Sequence, residues 1–288
     1  MSMFLWPMDR FAEAEVYQAP GERPSGVIGL SQKQDHFGLR PRTDQTEQTH
    51  TPRRWLVLAA WPPELTELRR LLRKSEMGTL KGFPYPPAMV RGEQSSPAPH
   101  AIGNQVILRA AGVGLVEAAI GATAAIAEVK PDAVMFIGTA GSYPGRRPDL
   151  ALAGVVAARR LVLSADGVAT GNAYLPPALP ATQETTMALR RIAAAAGLLM
   201  ADVACPLAIT SRPVPVGRGA RSSACDVENL EAFAVGRAAA IAGLPFAAIL
   251  GISNAVGPSA HAAWKRNATR AAAAACRAAL DVIERSNG

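Results

Sequence analysis

The residues able to do chemistry fall in a few short segments: Glu64, Gly112-Val113-Gly114, Gly138-Thr139-Ala140-Gly141, Glu228-Asn229-Leu230-Glu231 and Ser253-Asn254. A carboxylate can take a proton from water as a general base, or accept hydrogen bonds from two hydroxyls at once. An amide such as Asn254 can donate and accept hydrogen bonds but cannot hand over a proton. Other chemistries lack their residues. Gly112-Val113-Gly114 is short of the third glycine of a dinucleotide fingerprint, whose place is taken by Glu117, and reads as a tight strand-to-helix turn. No GxxxxGK[ST] segment occurs, which excludes a P-loop. His36, His50, His100 and His261 are dispersed and give neither metal-ligand spacing nor a Ser-His-Asp arrangement. The reading therefore calls for no metal and no organic cofactor.

The elements that must position these residues alternate. The apolar run from Trp55 to Ala60 predicts a buried parallel strand, with Pro62-Pro63 suited to the first turn of a following helix. That helix places Leu65, Leu68, Leu71 and Leu72 on one face. Further strands are expected at Gln105–Ala111, Ala133–Ile137, Gly154–Leu163 and Pro245–Leu250. The strand at Ala133–Ile137 ends in the Gly138–Gly141 turn, and Pro206–Thr210 is one more apolar stretch. Helices are expected after Gly114, over Thr185–Ala196, over Leu230–Ala242 and from Ser259 to Glu284, with Gly243 as a stop signal. Residues 75–104, rich in Pro, Gly and Ser, read as a loop. The pattern predicts an α/β fold: a single domain over residues 53–288 with a mixed, mostly parallel sheet and helices on both faces. Residues 1–52, rich in Gln, Pro, Thr and charge, predict a disordered or loosely packed extension, or an arm lying on a partner subunit. Ligands of such sheets bind beyond the carboxyl ends of the strands, which is where the segments above lie.

Composition narrows the class. With 49% apolar and 18% charged residues among 288, the chain can bury a core. A formal charge of +7 comes from scattered Arg pairs such as Arg53-Arg54 and Arg146-Arg147, without a basic block or interleaved aromatics. That pattern argues against a nucleic-acid partner and fits a surface attracting anionic metabolites. No run reaches the ~18 apolar residues of a membrane span, and Asp9-Arg10 interrupt the apolar start before it can form a secretory signal. Three widely spaced cysteines, Cys205, Cys225 and Cys276, read as reduced thiols, and a cytoplasmic location is expected.

Three blocks in order, AAWPPELTELRRLL, AAGVGLVEAAIGATAAIAEVKPDAVMFIGTAG and DVENLEAFAVGRAAAIAGLPFAAILGISNAVG, resemble the nucleoside phosphorylase and nucleosidase superfamily. They are most similar to the branch holding methylthioadenosine/S-adenosylhomocysteine nucleosidase and futalosine hydrolase. The resemblance spans about residues 54–285 and implies a mixed sheet wrapped by helices. It implies that Glu64 orients and deprotonates the attacking water, and that Glu231 grips the ribose 2′ and 3′ hydroxyls with Leu230 against the sugar. Thr139, Ala140 and Gly141 would form the turn beside ribose and base, and Asn254 would contact purine N7. Asn229, Ser253 and Gly112 stand beside these positions as further substrate-binding candidates. The implied partner is a small purine nucleoside, and the implied assembly is a homodimer whose neighbour closes the 5′ end of the site.

Departures from the family pattern refine the expectation. The methylthioadenosine/S-adenosylhomocysteine nucleosidases carry Asp where this chain has Asn254, whereas SNAVGP is similar to futalosine hydrolases, which release hypoxanthine. An amide can serve N7 and O6 of a 6-oxopurine, but it can also pair with N6 and N7 of adenine. Related phosphorylases hold phosphate with an Arg where Phe136 stands here, so water is the expected nucleophile, with Arg109 and Arg146 as substitutes if phosphate were used. The futalosine-type reading calls for a cation near the 5′ end, from among Arg212, Arg218, Arg221 and Lys265. The family's base-stacking ring falls near Val214 and Pro215, where no ring stands unless Phe233 or Tyr174 fills in, and no base-stacking residue is assigned. Glu228 is taken as a helix-start acid. The alternatives are methylthioadenosine or S-adenosylhomocysteine hydrolysis, phosphorolysis, and a non-catalytic nucleoside binder, which would not need Glu64.

Overall fold

The computed structural model describes residues 52–73, 105–211 and 225–286. The extension expected over residues 1–52 lies outside them except for Pro52, and so does the whole of the loop at 75–104.

The first strand, β1 (Arg54–Ala59), sends alternate residues to opposite faces. Leu56 and Leu58 enter one core cluster, Trp55 and Val57 the other. A 3₁₀ turn over Pro62–Leu65 leads into α1 (Thr66–Leu72), which buries Leu68 and Leu72. There follow β2 (Gln105–Ala110), α2 (Leu115–Val129), β3 (Ala133–Ser142) and β4 (Val155–Ser164). The chain continues through α3 (Asp166–Ala169), β5 (Thr182–Glu184), α4 (Met187–Ala195) and β6 (Leu199–Pro206). It ends in β7 (Val227–Glu228), α5 (Ala232–Ile241), β8 (Phe246–Ala255) and α6 (Ala260–Arg285).

The strands form a mixed sheet of order β2-β1-β3-β7-β6-β4-β5, with β8 pairing both β3 and β4. Pairing is parallel for β1–β2, β1–β3, β3–β8, β4–β6 and β6–β7, and antiparallel for β3–β7, β4–β5 and β4–β8. The path β3–β8–β4–β6–β7 returns to β3, so part of the sheet closes into a ring and loses its edges there. Helices α2 and α5 pack on one face, and α1, α4 and α6 on the other, as the alternation of elements predicts.

The differences from the expectation are local. Gly138–Gly141 is not a turn: β3 runs through it to Ser142, because β8 pairs with it along the same length. The apolar stretch at Pro206–Thr210 marks the end of a strand that starts earlier, at Leu199. Close packing of α6 needs a small residue, since a Cβ on Gly251 would run into the Ala271 carbonyl. Cys205, Cys225 and Cys276 are free and buried. Among the described residues, no helix is long and apolar enough to cross a membrane.

Candidate active site

The carboxyl ends of β1, β3, β6 and β8, the residue after Gly112 and the start of α6 surround one cavity of about 330 Å³. That volume lies in the range of small-molecule sites. Glu64, Thr139, Ala140, Gly141, Asn229 and Leu230 line it, together with Glu231, Ser253 and Asn254.

Glu64 reaches the cavity because the 3₁₀ turn after β1 points it back toward the strand end, where it is buried. Its Oε2 accepts from the Trp61 N–H at 3.4 Å. Its own carbonyl accepts from the Cys276 thiol of α6 at 3.1 Å, which ties the turn to the last helix. Burial, and then the nearby Glu231 carboxylate, push the Glu64 pKa up from 4.5 to about 8.

Glu231 is buried at the start of α5, and Oε1 accepts from the Gly114 N–H at 2.9 Å. Asn229 fixes it from the other side. The Asn229 Nδ2 donates to Glu231 Oε2 at 3.2 Å and to the Thr139 carbonyl at 3.0 Å. The Asn229 Oδ1 accepts from the N–H groups of Glu231 and Ala232 at 3.0 and 2.8 Å. All four hydrogen-bonding positions of that amide are taken within the protein. Burial raises the Glu231 pKa, and the donors from Gly114 and Asn229 oppose the rise.

Asn254 lies on β8, where one extra residue shifts the pairing with β3 so that Gly141 faces Asn254. Its Oδ1 accepts from the Ser253 hydroxyl at 2.7 Å, and its Nδ2 donates to the Ala255 carbonyl at 3.0 Å. The side chain leans into the space that Gly141 leaves, since a Cβ there would sit 2.9 Å from the Asn254 Nδ2.

Several lining residues carry no signal that the sequence reading used. Trp61 and Trp264 approach with ring centroids 6.4 Å apart, and His261 stacks on Trp264 at 5.8 Å. The Trp264 indole N–H donates to the Thr139 hydroxyl at 3.1 Å. The spacing of His261 and Trp264 on one turn of α6 is the signal that could have found them. Phe233 packs in the core and Tyr174 is exposed, and neither lines the cavity. Glu228 is not at a helix start: it lies in β7, is buried and lines the cavity.

Other expected positions stand apart. Gly112 is not a lining residue; Val113 beside it is. Phe136 is fully buried in the core. Arg109 pairs with Glu128, Arg146 and Lys265 are exposed, and none of the three lines the cavity. Arg212, Val214, Pro215, Arg218 and Arg221 lie outside the described residues. No Lys or Arg occurs among the described lining residues.

The family model described as the phosphorylase superfamily matches residues 54–284. The chain is similar in fold to futalosine hydrolase of Helicobacter pylori strain 26695, with a TM-score of 0.61 and 15% identity, covering 81% of this chain and 97% of that one. It is likewise similar to 5′-methylthioadenosine/S-adenosylhomocysteine nucleosidase from Neisseria meningitidis in complex with methylthio-immucillin-A, with a TM-score of 0.61, 21% identity and coverage of 81% and 99%. The corresponding nucleosidase from Colwellia psychrerythraea 34H, in complex with adenine, gives a TM-score of 0.60, 16% identity and coverage of 81% and 96%. Curated proteins provide no match to the sequence.

Proposed function

The chain belongs to the phosphorylase superfamily, and from that membership we propose that it hydrolyses the N-glycosidic bond of a purine nucleoside, of the futalosine type, with release of hypoxanthine. The observation that carries the proposal is the meeting of Glu64, Glu231 and Asn254, far apart in the chain, around one cavity. Cleavage of a ribosyl–purine bond builds oxocarbenium-like positive charge on the sugar and negative charge on the base, as in glycoside hydrolysis. Glu64 takes a proton from the attacking water, a role worth about 10²–10⁴-fold. Its raised pKa suits it to work as a base just above neutral pH. Glu231, preset by Gly114 and Asn229, accepts from the ribose diol with Leu230 against the sugar, while Thr139, Ala140 and Gly141 lie alongside. Asn254, oriented by Ser253, donates to the departing purine. The buried Phe136 and the lack of a lining cation among the described residues support water over phosphate as nucleophile.

That same lack favours a second reading, a nucleoside with an uncharged 5′ group such as methylthioadenosine. A homodimer is part of the proposal, supported by an exposed apolar stripe of Val113, Val116 and Ile120 that begins at the cavity. The test is a panel of purine nucleosides differing at 5′, incubated with and without phosphate and followed for freed base. Base release with ribose as co-product in phosphate-free buffer is the expected result. Strict phosphate dependence with ribose 1-phosphate would refute hydrolysis.

A further inference from the structure

The last helix meets three of the strand ends that surround the cavity. Cys276 and Asn267 of α6 do not line the cavity, yet both hold backbone beside groups that do. The Cys276 thiol, fully buried, donates to the Glu64 carbonyl at 3.1 Å. The Asn267 Nδ2 donates to the Ser253 carbonyl at 3.1 Å and to the Ala263 carbonyl, one turn back in its own helix, at 3.0 Å. Between the two, the Ala271 carbonyl lies so near Gly251 of β8 that no side chain fits there. The Trp264 indole N–H adds a tie to the Thr139 hydroxyl at the end of β3. Burial pushes the Cys276 pKa up to about 11, so the thiol keeps its proton and stays a donor.

In a direct displacement by water, attack and departure take place on opposite faces of one sugar carbon. The separation between the group that activates water and the group beside the departing purine therefore matters, and a misplacement of about 1 Å can cost about 10²-fold in rate. Glu64 comes from the turn after β1 and Asn254 from the end of β8, and α6 is bonded to the backbone of both segments. Resting on the nucleosidase reading above, we propose that Cys276 and Asn267 are positioning residues: through them α6 fixes the separation of Glu64 and Asn254 across the sugar. A continuous helix suits that task, because its interior N–H groups are bonded within it and it is stiffer than the turn and strand end it joins.

The test compares Cys276→Ala, Cys276→Ser and Asn267→Leu with the wild-type protein, on a purine nucleoside that the wild type cleaves. Cys276→Ala removes the thiol, and Asn267→Leu removes the amide N–H at similar shape. Each should lower kcat by about tenfold or more, the effect of one lost hydrogen bond. KM should move by less than about twofold, since neither residue meets the ligand. Cys276→Ser keeps a donor in place and should recover most of the loss. Asn267→Leu covers the case in which Cys276→Ala does not fold. An unmoved kcat in either donor-removing variant, a KM that rises as much as kcat falls, or a Cys276→Ser as slow as Cys276→Ala overturns the assignment. Failure of the nucleosidase reading shows differently: no nucleoside loses its base. The tie to Glu64 is then still read from tryptophan emission against pH, because the Trp61 N–H bonds the Glu64 carboxylate. Glu64→Gln identifies the transition near pH 8 that belongs to Glu64, apart from Glu228, Glu231 and His261 on the same wall. Cys276→Ala should move that transition down, as a loosened turn admits water to the carboxylate, and Cys276→Ser should leave it in place. A transition unmoved by Cys276→Ala overturns the assignment.

Discussion

Glu64 is held where a carboxylate ionises with difficulty, and this shapes both its chemistry and its cost. Its pKa is raised from 4.5 to about 8, so between those values the folded protein binds more protons than the unfolded chain. Stability therefore falls as pH rises through that window, and the full benefit of the protonated group is present only below it. Glu64→Gln removes the cost of ionisation. We expect it to abolish turnover, retain nucleoside binding, and raise the melting temperature more at pH 9 than at pH 5, at about 2–4 °C per kcal/mol. An unchanged turnover would remove Glu64 from the mechanism. For the wild-type protein, kcat/KM should climb with pH toward an inflection near 8, as the free enzyme's base ionises. A profile flat from pH 6 to 9 would contradict this. At this scale the acids and the amide were legible, since their neighbours in sequence form recognisable blocks. Trp61, Trp264 and His261 were not, because a ring beside a Pro-Pro turn or on the first turn of a helix says nothing of which cavity it will face.

Among the elements, the apolar strands were legible, whereas β5, β6 and β7 were not. An apolar run such as AVMFI in β3 announces itself, and the helices show their apolar faces. Strand β6 escaped notice because it carries Asp202, a charge that a strand buries only with partners. Arg159 and Arg160, adjacent in β4, both reach that one carboxylate because a register shift between Ala158 and Arg160 breaks the alternation. Strands β5 and β7 are too short to show a period, yet β7 closes the ring and carries Glu228. The glycines of β3 read as a turn because glycine usually marks one, whereas here Gly141 makes room for Asn254. Gly141→Ala should displace that amide and lower kcat/KM by about tenfold or more while the melting temperature moves little, a loss comparable to one hydrogen bond. Gly251→Ala, which would push α6 off the sheet, should instead cost about 1–3 kcal/mol of stability, readable by chemical denaturation.

On the scale of the whole molecule, the fold's task is to bring strand ends together, and the closed part of the sheet does so with little freedom. Glu64, Glu231 and Asn254 arrive on separate elements; Glu64 and Glu231 are tied to distant parts of the chain, and Asn254 is held by its neighbours Ser253 and Ala255. The ring itself was not legible, because closure depends on pairings between strands distant in sequence. The exposed stripe of Val113, Val116 and Ile120 begins at the cavity wall with Val113, and the proposed second copy would cover it. Light scattering should give the mass of a dimer, and Ile120→Glu should yield a monomer with weakened nucleoside binding. A monomeric wild-type protein would contradict that assembly. The most direct measurement of the central claim is a reaction in ¹⁸O-water without phosphate, using a purine nucleoside from the panel. The account predicts free base and ribose labelled at C1. Recovery of intact nucleoside across the panel, or ribose 1-phosphate formed only when phosphate is added, would contradict it.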